Sequence, residues 1–157
     1  MLNRANERAP FAIALQLWTW AAALRILKHI VPLTTLVRMV RTRPRSGGAR
    51  EETIAALKAY LESAERFPFR APGNCLERSL GAYRILCEAN ARPELVVGVR
   101  KSERGVEGHV WLSVGGAAWG ERAADVTSFT RIVSFDAQGR QRTAAGFDGA
   151  LETLRVR

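Results

Sequence analysis

The apolar residues of this chain change period once. Up to Ala89 they recur at helical spacing, and from 94 to 135 they alternate in short runs. Helices are predicted over 9–30 and 32–41, with Pro32 at the first position of the second. A third covers 51–67, with Ile54, Leu57, Leu61 and Ala64 on one face and Glu51 and Glu52 in its first turn. A fourth opens at Cys75 and runs to about Ala89. Strands follow at 94–100, 107–114, 117–121 and 129–135, then a turn over 136–139 and a short helix from Asp148. Helices followed by an antiparallel meander make an α+β domain. Arg41-Thr42-Arg43-Pro44-Arg45-Ser46-Gly47-Gly48 breaks both patterns and reads as a linker. It divides a helical extension, 1–50, from the domain proper, 51–157.

Charge follows the same division. Residues 1–50 carry nine basic and one acidic side chain, and 51–157 carry fifteen and fourteen, so nearly all of the +9 net charge lies in the extension. Nucleic-acid binding would place basic residues among exposed aromatics on the folded part, and that pattern is absent. An anionic membrane surface or an acidic partner suits the distribution better. From Pro10 to Leu24 no residue is charged, but this stretch is shorter than the ~20 residues that span a bilayer. Ala21-Ala22-Ala23-Leu24-Arg25 is a weak signal-cleavage site. Two readings of residues 10–40 stand: packing on the domain, or contact with a membrane surface, with Trp18 and Trp20 facing outward. Two cysteines twelve apart, Cys75 and Cys87, form neither a metal motif nor a disulfide framework. They point to the cytoplasm and call for no metal or cofactor.

The chemistry concentrates at two places. In Pro72-Gly73-Asn74-Cys75-Leu76-Glu77 a turn opens into a helix, where Asn74 can cap and Glu77 can reach back to the Asn74 N–H. Cys75 then sits in the first turn, where free N–H groups and the helix dipole favour a thiolate and can hold an oxyanion. Leu76, Leu80, Tyr83 and Cys87 share a buried face, so Cys87 is read as a core residue. His109 lies on a strand, and the other histidine, His29, is in the apolar N-terminal helix; a general base would be His109. A third group must orient the imidazole. A two-residue Gly115-Gly116 turn pairs Glu121 with Val110, facing away from His109; a three-residue bulged loop pairs it with Trp111 and brings it to His109. Glu121 is the candidate on that second condition, and Asp125 is the runner-up.

Cys75-Leu76-Glu77-Arg78-Ser79-Leu80-Gly81-Ala82-Tyr83-Arg84-Ile85-Leu86, Leu95-Val96-Val97-Gly98-Val99-Arg100 and His109-Val110-Trp111-Leu112 resemble the leader peptidases of lasso-peptide biosynthesis. These are bacterial transglutaminase-like cysteine proteases with a papain-type triad. The resemblance spans about 51–135, and the basic-apolar segment 24–40 is similar to the N-terminal helices of stand-alone members. It implies a transglutaminase-like core, with Cys75 as nucleophile, His109 as base and Glu121 in the acidic position, often Asp in the family. Val110 stands where the family commonly has Ala. The implied substrate is a ribosomal precursor peptide, cut between leader and core so that a separate ATP-dependent cyclase can close the lasso ring. Residues 1–50 are too short and too helical for a fused leader-recognition domain, so a separate leader-binding protein is implied. Two other functions are weighed beside it: another transglutaminase-type amidase or acyltransferase, and a non-catalytic scaffold of a maturation complex.

Overall fold

In the computed structural model, which describes residues 4–44, 50–66, 74–103 and 105–145, the helices precede the sheet as the change of period requires. Four helices come first: α1 (Arg4–Leu27), α2 (Leu33–Val40), α3 (Glu51–Arg66) and α4 (Cys75–Glu88). Then follow β1 (Glu94–Ser102), β2 (Gly105–Val114), β3 (Ala117–Trp119), the short helix α5 (Ala123–Thr127), β4 (Thr130–Phe135) and β5 (Gln141–Thr143). The sheet is antiparallel with strand order β3-β2-β1-β4-β5, so the α+β class holds. The centre of the predicted linker, the loop leading to Asn74 and the helix from Asp148 lie outside the described residues.

α1 stops at Leu27 rather than near 30. The residue before a proline avoids the helical region, so the chain leaves α1 through a turn over 28–30 before Pro32 caps α2. At its far end α4 closes with Asn90 in the left-handed region (φ 57°). The Asn90 N–H donates to the Cys87 carbonyl and the Ala91 N–H to the Leu86 carbonyl, a Schellman closure with asparagine in place of glycine.

Most of the core lies between helices and sheet, and a smaller cluster of Val96, Trp111 and Val126 lies apart from it. Leu76, Leu80, Tyr83 and Cys87 of α4 are buried, as their spacing requires, against Val110 and Leu112 of β2 and Phe135 of β4. Ile13, Leu17 and Leu24 of α1 join the same cluster, as do Leu36, Val37 and Val40 of α2 and Leu57 of α3. α1 crosses α4 at Gly81, where an added Cβ would stand 3.0 Å from the Leu17 side chain. Of the two tryptophans read as outward, Trp18 is exposed, whereas Trp20 is half-buried with the Arg84 guanidinium 4.8 Å above its ring. Arg84 also donates to the Val40 carbonyl (3.1 Å), fastening α2 to α4.

The helical segment before residue 50 also reaches the N-terminus of α4. Lys28 Nζ lies 2.9 Å from Glu77 Oε1, and the two side chains are only 12% and 2% exposed. Glu77 holds the capping box of α4, so Lys28 neutralises the carboxylate that fixes this helix start. Removing one partner of a buried pair strands the other charge. Lys28→Met should therefore lower unfolding stability by about 3 kcal/mol, and Lys28→Arg should keep most of it; urea unfolding of the two variants checks this.

Candidate active site

The site grows from a gap in the sheet. β3 pairs with β2 only over Leu112–Val114, leaving the earlier part of that edge without a strand. In an antiparallel ladder the N–H and C=O of one residue point to the same edge. Those of Val110 turn to α4 instead: the Ser79 hydroxyl donates to the Val110 carbonyl (3.0 Å), and the Val110 N–H bonds the Cys75 sulfur. Two residues of α4 one turn apart thus complete the edge of β2, and that brings the thiol to the strand that carries His109.

The start of α4 is built as the sequence predicts. Asn74 Oδ1 accepts from the Glu77 N–H (3.1 Å), and Glu77 Oε2 accepts from the Asn74 N–H (3.2 Å). Cys75 occupies the first helical position, half-buried. Partial burial opposes ionisation of its thiol. A hydrogen bond and charge attraction from His109, with the N–H groups of Val110 and Leu76, overcome it and leave the pKa below the ordinary value. His109 shifts the other way, up to about 9, through its hydrogen bonds to Cys75 and then Glu121 against the cost of burial. The two shifts together describe a thiolate–imidazolium pair.

His109 Nε2 lies 2.7 Å from Glu121 Oε2, so Nδ1 is the nitrogen left to face Cys75. Glu121 is held from its other side by Arg78, one turn along α4, at 3.4 Å. Asp125, the runner-up, lies on α5, exposed, and pairs with Arg122 at 3.2 Å. The expected route to Glu121 is corrected, however. Val114 pairs with Ala117 across a two-residue Gly115-Gly116 turn (φ 61° and 84°), the register expected to point Glu121 away. β3 ends at Trp119 rather than at 121, because Gly120 takes φ 75°, a conformation that breaks the ladder. Glu121 leaves the sheet there, and its direction no longer follows strand alternation.

Sequence reasoning missed the ring packing around His109. Trp111 stacks beside it (centroids 6.0 Å, 17° between planes), and Phe129 lies tilted at 5.2 Å. Gly98 makes room for the first: a Cβ there would sit 2.8 Å from the Trp111 ring and 3.0 Å from the Thr130 carbonyl oxygen. Arg100 backs the second, its guanidinium 4.5 Å over Phe129 while Glu107 pairs with it at 2.8 Å. Gly98 pairs with His109 across β1 and β2, and Trp111 lies two residues after His109 on the same strand face, so cross-strand register was needed to join them. Cys87 is buried and its thiol is pushed up to about 12, chiefly by desolvation. Among the described residues no cluster of His, Cys, Asp and Glu could hold a metal.

Two measurements test this geometry. Iodoacetamide near neutral pH should modify Cys75 and spare Cys87, with the Cys75 rate holding on the acid side of an ordinary thiol and responding again as His109 deprotonates near pH 9. Gly98→Ala should displace Trp111, cost about 1–3 kcal/mol of stability, and return the Cys75 alkylation profile toward that of a free thiol.

The family profile described as the Transglutaminase-like superfamily matches residues 14–134, from within α1 to β4. No curated protein matches the chain. No solved structure matches it either. The superfamily generally contains cysteine peptidases and acyltransferases, a role that a thiolate–imidazolium pair can serve. With most of its length matched, and with the thiol, imidazole and carboxylate assembled inside the matched span, the chain belongs to the transglutaminase-like superfamily.

Proposed function

We propose that this protein is a cysteine peptidase that removes the leader from a ribosomally made lasso-peptide precursor. The observation that carries the peptidase reading is the chain of hydrogen bonds from Cys75 through His109 to Glu121 at a capped helix start. The leader-peptidase reading is supported by where the resembling motifs fall. Arg78 clamps the carboxylate, Ser79 ties α4 to β2, Gly98 and Arg100 seat the two rings, and Trp111 stacks on the imidazole. Residues that resemble the family in sequence thus converge on one site.

The reaction is acyl transfer. The Cys75 thiolate attacks the carbonyl carbon of the leader–core bond, forming a C–S bond as the carbonyl pair moves onto oxygen. Cys75 and Leu76 have the first-turn N–H groups without intrahelical acceptors, and these are placed to take the oxyanion. His109 gives its proton to the departing amine, the core's new N-terminus, while Glu121 holds the ring. Water, deprotonated by His109, then cleaves the thioester and restores the thiolate. The edge of β2 at Val106 and Gly108, both exposed and outside the β3 pairing, offers an extended peptide free backbone partners beside the thiol. A polar cleft between α3 and the Glu121 turn, lined by Lys58, Glu62, Arg78, Trp119 and Arg122, continues from the site. The leader-binding protein and the cyclase enter this proposal as partners: the first presents the leader, and the second consumes the freed amine.

Incubation with the precursor peptide and its leader-binding protein, read by mass spectrometry, tests the proposal. Cys75→Ala and His109→Ala should each abolish cleavage while circular dichroism stays unchanged, and Glu121→Ala should retain a slow rate. Cleavage should fall below the window in which Cys75 is ionised and again above about pH 9, where His109 loses its proton. Cleavage by purified Cys75→Ala protein would falsify the peptidase reading. A product joined to an amine in place of a hydrolysed one would move the assignment to acyltransferase.

A further inference from the structure

Helix α1 has two apolar faces. Ile13, Leu17, Ala21 and Leu24 are no more than 5% exposed and pack inward. On the opposite face Phe11, Leu15, Trp18 and Ile26 follow helical spacing and stand 72%, 58%, 51% and 65% exposed, with Ala22 exposed between them. Ile30 beyond the helix and Met39 on α2 are exposed as well. Scattered exposed apolar residues are ordinary, but a continuous stripe along three to four turns marks a surface with something to cover it. Among the described residues no helix is long and apolar enough to cross a membrane, so the stripe has to lie along whatever covers it.

Charge selects the occupant. Between Pro10 and Arg50 the chain has no acidic residue. Lys28 is engaged by Glu77 and Arg41 by the Gln138 carbonyl, while Arg25 on α1, Arg38 on α2 and Arg43 after it are exposed. A second copy would bring two predominantly cationic segments together, with Glu7 the one acidic residue on α1 to offset them. An anionic lipid surface meets both requirements, taking the apolar side chains below its headgroups and the arginines among them. We propose that α1 lies flat on an anionic bilayer through Phe11, Leu15, Trp18 and Ile26, with Arg25 and Arg38 at the headgroups. This inference goes beyond the peptidase reading and does not depend on it.

The test uses the full chain with vesicles of equimolar phosphatidylglycerol and phosphatidylcholine, and with phosphatidylcholine alone. The protein should sediment with the anionic vesicles at least tenfold more tightly than with the neutral ones, and less in high salt. Its tryptophan emission should shift to the blue on binding, a shift that Trp18→Phe reduces. Combined Phe11→Gln, Leu15→Gln and Trp18→Gln should lose about tenfold or more of that binding, as should Arg25→Glu with Arg38→Glu. The urea midpoint and Cys75 alkylation should stay as in the wild type, which separates loss of docking from loss of fold. No binding to anionic vesicles, or equal binding by the triple variant, overturns the proposal. So does a dimer in sedimentation velocity that the triple variant dissolves, which would assign the stripe to a second copy.

Discussion

The backbone of Val110 is the constraint on which the site depends. An N–H and a C=O at a sheet edge beneath a packed helix must find partners, because water is excluded and an unmet pair costs several kcal/mol. β3 is too short to supply them. The Ser79 hydroxyl takes the carbonyl, and the Cys75 sulfur takes the N–H. The same two contacts that satisfy the strand therefore hold the start of α4, with its thiol, against the strand that carries the imidazole. The polar need of the sheet and the placement of the Cys75 thiol are met together.

Electrostatics then divides the work by position along α4. A carboxylate three residues into a helix is favourable for the cap and unfavourable for a thiolate beside it. Lys28 resolves the conflict by neutralising Glu77 from outside the helix. Arg78, a residue further on, faces the other way and balances Glu121, so the imidazolium is not left as the only counter-charge to two acidic groups. Opposite charges are paired through the site: Lys28 with Glu77, the Cys75 thiolate with His109, and Glu121 with both His109 and Arg78. Each charge has a neighbour of opposite sign, the arrangement by which a partly buried site keeps several ionised groups at once.

The helices before residue 50 bear on the site through packing as well as charge. α1 approaches α4 closely at Gly81, and α2 is fastened to α4 by Arg84. Their inward faces are part of the core under the sheet, while the outward face of α1 remains apolar. One helix thus has two apolar faces, one packed on the scaffold of the candidate site and one exposed. The helix that carries Cys75 is linked by direct packing to a helix whose outer face is apolar and exposed.

Much of this was legible in the residues. The choice of His109 as the base for Cys75 rested on the scarcity of histidine, whereas the α+β order, the capped start of α4 and the buried face of Leu76, Leu80, Tyr83 and Cys87 rest on local rules: periodicity and capping chemistry. These are short-range effects, so neighbours in sequence suffice to determine them. The route of Glu121 was not legible, because strand alternation was expected to continue to 121 and Gly120 ended it at 119. Nor were Arg78, Gly98 and Phe129, whose roles arise from residues 43, 13 and 20 positions away meeting across the sheet and helix layers. Residue chemistry and local pattern set which groups could react and which elements carry them. Which of those groups touch depended on packing, because long-range register and the backbone angle of Gly120 follow from no local preference.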